Sequence, residues 1–79
     1  MEYRIVEEII LAHGDSDRYF LENVFDTLND ARKFVDNNNN RWLKDIDCYG
    51  DEAVSLIIEI VAFEEGKVVC SIDAFVLGK

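Results

Sequence analysis

Basic residues are scarce in this 79-residue chain: eight lysines and arginines stand against seventeen acids, for a net charge of −9. Nucleic acid and anionic membrane surfaces are therefore poor partners, and cationic surfaces are favoured. Histidine occurs once, as His13, and cysteine twice, as Cys48 and Cys70. Two distant cysteines and one histidine give no zinc-ligand spacing. They give no nucleophile, base and orienting group either, because nothing places Cys48 near His13. Acids abound, but in no arrangement that singles out an acid–base pair. A glycine-rich phosphate loop is absent. The expectation is a protein that is not an enzyme and that uses no metal or cofactor.

Long hydrophobic runs are missing too. The longest uncharged apolar stretch is too short to cross a bilayer. No N-terminal segment joins a basic start to an apolar middle, as a secretion signal would. A reduced, cytoplasmic protein with unbridged cysteines is expected. The length suits a single domain, residues 1–79, with a thin core. Hydrophobic residues make up 49% of the chain, which argues for a folded rather than a disordered one.

What the chain does have is two β-rich runs, residues 53–63 and 67–77, separated by Glu64-Glu65-Gly66. Val, Ile and Phe dominate both, and such side chains fit a pleated, half-buried surface. A hairpin follows. With a three-residue loop, Val54, Leu56, Ile58, Ile60 and Ala62 share a face with Val68, Cys70, Ile72, Ala74 and Val76, and that face is free of charge. With a two-residue loop neither face is clean. Gly66 suits the left-handed position that a three-residue loop needs. The sequence therefore predicts the three-residue register and places Cys70 in the core as a small hydrophobe. The opposite face then carries Ile57, Val61, Phe63, Val69 and Phe75, an apolar set suited to a partner or to a second copy.

Residues 3–12 read as a strand in which Glu7 and Glu8 point to opposite faces. At least one of these carboxylates must reach the rim or the open face, because a lone buried charge is costly. Residues 13–17 have turn chemistry, and residues 19–25 make a second, shorter strand. Residues 27–38 read as a helix with Thr27 as N-cap and an apolar stripe of Leu28, Ala31, Phe34 and Val35. The asparagine run should end it. Residues 41–52 are either a second short helix or a loop anchored by Trp42. The expected fold is α+β, an antiparallel sheet of order ββαββ with one main helix on one face.

Asp45, Asp47 and Gly50 partly match a calcium loop, but Tyr49 occupies its fifth position and Leu56 its twelfth, so metal binding is not expected. Asp15 and Asp17 beside His13 read as a solvated turn. The candidate binding residues are acidic: Asp45, Asp47, Asp51, Glu52, Glu64, Glu65, Asp15 and Asp17. Carboxylates pair strongly with arginine and can stand in for phosphates. In size, acidity and lack of a catalytic motif the chain resembles small phage-encoded inhibitors of host defence, anti-CRISPR proteins among them. That resemblance lies in general character and carries no residue assignment over. It implies a bacterial cytoplasm as location. It also implies a partner protein with a basic surface, such as a CRISPR or other defence nuclease complex, blocked by occlusion. The alternative is a self-associating adaptor, a homodimer built through the open sheet face or an edge strand.

Overall fold

The β-rich runs pair as expected, but as half of a larger sheet. A computed structural model describes residues 1–78. Its strands are β1 (Glu2–Leu11), β2 (Ser16–Phe25), β3 (Ala53–Glu64) and β4 (Lys67–Gly78), all antiparallel, in the spatial order β2-β1-β3-β4. Two helices, α1 (Leu28–Asn37) and α2 (Asn39–Asp47), lie between β2 and β3 in sequence. The fold is α+β, and its order is ββααββ rather than the expected ββαββ.

Alternation on the two inner strands sets the core. Ile5 and Ile9 of β1 and Leu56, Ile58 and Ile60 of β3 face Ala31 and Val35 of α1 and Trp42 and Ile46 of α2. Thr27 caps α1 by accepting from the Asp30 N–H at 3.1 Å. The asparagine run does not stop the helical path. Asn38 alone forms the joint: its side chain donates to the Phe34 carbonyl at 2.6 Å, and Asn39 opens α2. Burial outweighs the poor helix propensity of asparagine here. Trp42 is buried, and its indole Nε1 donates to the Val35 carbonyl at 3.0 Å, satisfying a polar group that the end of α1 leaves behind. Among the described residues no helix is long and apolar enough to cross a membrane.

The β3–β4 register departs from expectation. The loop is two residues, Glu65 and Gly66, with φ of 52° and 78°, so Glu64 pairs with Lys67. Two left-handed residues in succession mark a type I′ turn, whose twist matches that of the strands it joins. Two bulges on β4, where Val69 and Ile72 are the extra residues, exchange the faces of only Cys70 and Ser71 between them, and so bring Ser71 to the open face. Beyond the bulges Phe75 lies opposite Ile58 and Leu77 opposite Leu56, on the helix-covered face. Val68, Ala74 and Val76 lie on the open face, opposite Phe63, Glu59 and Ile57, because the loop is one residue shorter than expected and the two bulges cancel in parity. Ile72 is 36% exposed, and Cys70 is exposed rather than buried. Asp73 falls on the covered face, opposite Ile60, where Arg32 of α1 donates to it at 2.7 Å.

Candidate functional site

The chain brings most of its candidate acids to one end of the sheet. The β1–β2 turn is closed by Leu11 N–H to the Asp15 carbonyl at 2.8 Å and Gly14 N–H to the Leu11 carbonyl at 3.0 Å. Gly14 has φ of 99°, a conformation that glycine adopts without steric cost. Ala12 N–H donates to the Glu52 carbonyl at 2.6 Å, tying this turn to the 3₁₀ turn Gly50–Glu52. The Tyr49 hydroxyl donates to Asp17 Oδ2 at 3.2 Å, tying the exit of α2 to β2. Asp15, Asp17, Asp51 and Glu52 therefore share one rim, and Asp45 and Asp47 join them from the last turn of α2.

Few opposite charges answer them. Arg41 Nε lies 4.0 Å from Asp45 Oδ2, and His13 Nε2 lies 3.2 Å from Asp15 Oδ2. Asp47, Asp51 and Glu52 make no salt bridge among the described residues and are exposed. Asp45 and Asp47 also occupy the negative end of the α2 dipole, where an acid is disfavoured by roughly 0.3–1 kcal/mol. Glu64 and Glu65 are elsewhere. They sit on the β3–β4 turn, at the other end of a 12-residue strand, roughly 35 Å away at the usual rise per residue.

Behind the acidic rim lies a residue that sequence reasoning missed as a site. Glu7, in the middle of β1, faces the helices and is 0% exposed, the one buried charged residue among those described. Neither carboxylate oxygen has a hydrogen-bond partner. Burial pushes its carboxyl up to about 7, the neighbouring Asp45 carboxyl adds to the rise, and the Tyr19 hydroxyl and Arg41 oppose it. In turn, burial and then Glu7 push the Tyr19 hydroxyl above its ordinary range. The adjacent pair Glu7-Glu8 on an inner strand was the available signal, since alternation sends one of them inward. Glu8 meets the expectation of a solvated carboxylate and Glu7 does not.

The open face is less free than its apolar residues suggest. Arg18 of β2 donates to Glu59 of β3 at 2.7 Å and approaches Glu8 of β1 at 3.5 Å. Ser71 of β4 completes the row by donating to the other Glu59 oxygen at 3.0 Å, so a polar network crosses all four strands. The Arg18 guanidinium, followed by the Ser71 hydroxyl, holds the Glu59 carboxyl below its ordinary range. Below this row Arg4 lies 5.1 Å from the ring centroids of both Phe20 and Phe63, a double cation–π contact. Val6 and Val61 are each 1% exposed beneath this cover.

The apolar candidate set is therefore divided. Ile57, Val61 and Phe63 lie on the open face, but Val61 is buried and Phe63 is engaged by Arg4. Phe75 lies on the covered face, because the two-residue loop sends the odd-numbered residues beyond the bulges there. Val69 projects from a bulge on the outer strand and is exposed. No pocket opens among the described residues, and no group of three or more potential ligands is placed to hold a metal ion. Comparisons with protein-family models, with curated proteins and with solved structures found no match.

Proposed function

We propose that this protein is a small acidic protein-binding module. In this reading it is a stoichiometric inhibitor that covers a basic nucleic-acid-binding surface of a host defence complex, such as a CRISPR or other defence nuclease. The carboxylates of the rim take the places of phosphates, each forming charge-assisted pairs with arginine or lysine of the target. Occlusion needs neither catalysis nor a cofactor. The observation that carries the reading is the gathering of Asp47, Asp51 and Glu52, which make no salt bridge among the described residues, with Asp15, Asp17 and Asp45 beside them. Clustering acids at the negative end of a helix costs stability, and a binding role accounts for that cost. Glu64 and Glu65 serve at most as a second, smaller contact at the far end.

The test is competition. Purified CRISPR effector and other defence nuclease complexes are titrated with the protein, and their affinity for DNA or RNA is measured at rising ionic strength. Displacement of the nucleic acid, weakening steeply with salt, is the expected result, because exposed charge pairs lose strength once the Debye length falls to about 8 Å. Inhibition that leaves nucleic-acid binding intact, or that is indifferent to salt, contradicts the reading.

A further inference from the structure

The two sheet edges differ in how they are defended. Unpaired edge strands are templates for another chain, and proteins blunt them with charges and bulges. β2 carries Asp17, Arg18 and Glu22, and two extra residues interrupt its pairing with β1 between Val24 and Phe20. β4 carries one base, Lys67, at its start and one acid, Asp73, which Arg32 neutralises at 2.7 Å. In a chain of net charge −9 this is a nearly neutral edge. It is also apolar: Val69, Ile72, Phe75 and Val76 are exposed by 55%, 36%, 36% and 67%. The bulges blunt only its first half. From Asp73 to Gly78 the pairing with β3 is uninterrupted, so the outer side of that half offers a regular row of N–H and C=O groups.

We infer that β4 pairs antiparallel with β4 of a second copy through Asp73–Gly78, joining two four-stranded sheets across a dyad. A strand running antiparallel to its own copy is self-complementary, so residue i meets j and j meets i. Val76 on the open face and Phe75 on the helix side gain apolar neighbours from the partner. Charge selects the antiparallel arrangement. It sets the two acidic rims on opposite sides of the dyad, roughly 17 Å apart along the strands at the usual rise per residue, or about two Debye lengths at physiological salt. A parallel arrangement would set them side by side. The open face is the poorer surface for self-association, because Arg18, Glu8, Glu59 and Ser71 already bond to one another across it.

Sedimentation velocity of the full chain, from low to high micromolar concentration and at low and high salt, tests this. The expected result is a monomer–dimer equilibrium that tightens as salt rises, because salt screens the repulsion between two acidic molecules. Val76→Lys sets a like charge near the dyad and should raise the dissociation constant by about tenfold or more. In the unchanged protein, hydrogen exchange should show Phe75–Leu77 amides gaining protection on concentration, a readout independent of any variant. A monomer at every concentration overturns the inference. So does a dimer that V76K leaves intact with no added protection on β4. The reading of the acidic rim stands or falls separately, because its salt dependence has the opposite sign.

Discussion

Replacing Glu7 by glutamine removes an ionisable group from the interior and leaves the shape unchanged. In the unfolded chain this carboxyl releases its proton near 4.5, and in the folded chain it holds the proton up to about 7. The unfolded state thus binds fewer protons than the folded state between those limits, so Glu7 makes stability fall as pH rises through that window. Below about 4.5 both states are protonated, and above about 7 both are ionised, so the contribution is flat outside it. At about 1.4 kcal/mol for each pH unit the full effect is about 3 kcal/mol. That is a large share of the 5–15 kcal/mol by which domains are usually stable. The physical cause is burial of the carboxylate beside Asp45, with the Tyr19 hydroxyl and Arg41 compensating only in part. Urea unfolding of both proteins at several pH values between 4 and 8 gives the difference curve, in which the other acids cancel. Relative to wild type, Glu7→Gln should gain about 3 kcal/mol on going from pH 4.5 to 7.5. A difference curve that is flat across this range refutes the burial argument. One of opposite slope shows that Glu7 is held as a stabilised anion.

Two further substitutions test other parts of the structure. Glu65 adopts φ of 52° ahead of Gly66, so Glu65→Asn should stabilise by roughly 0.5–1 kcal/mol in urea unfolding, as asparagine-glycine suits a type I′ turn. A three-residue loop, with Glu65 right-handed, would leave that variant neutral or weaker. Arg18→Ala should raise the Glu59 carboxyl towards its ordinary range, followed by side-chain NMR titration. The stability that this pair adds above the ordinary carboxylate range, and loses as pH falls through the folded value of Glu59, should shrink with it. An unchanged Glu59 titration contradicts the network across the open face.

Much of the architecture was legible in local pattern. The strands, the Thr27 cap, the stripe of Ala31 and Val35 and the burial of Trp42 all follow from short-range rules that tertiary packing here reinforces. Local pattern does not decide between helix and loop for α2, because the asparagines argue against helix while Trp42 and Ile46 argue for it, and only burial decides. The β4 register failed for a related reason. A uniform alternation argument assumes an unbroken ladder, whereas Val69 and Ile72 each slip it by one residue. The two slips cancel in parity, so the shorter loop is what reassigns Asp73, Phe75 and Val76 together, and Arg32 on a distant helix makes the new place of Asp73 tolerable.

The candidate site was legible in composition and not in position. Counting acids identified a negative surface but could not separate Asp47, Asp51 and Glu52 at one end from Glu64 and Glu65 at the other. That separation depends on strand order and on the tie between Ala12 and Glu52. Glu7 escaped notice because a buried, unpartnered carboxylate is the arrangement that a sequence rule advises against.

The strand-length gap between the two acidic ends permits the most direct trial of the central claim. Charge reversal at the rim, Asp47→Lys with Asp51→Lys and Glu52→Lys, is compared with Glu64→Lys and Glu65→Lys at the far turn, both in the competition with nucleic acid on a defence complex. Loss of competition by more than about tenfold is expected for the rim variant and near-normal competition for the far-turn variant. Losses in proportion to the charge reversed, three residues against two, would mean that total charge alone matters, and an unaffected rim variant would place the binding surface elsewhere.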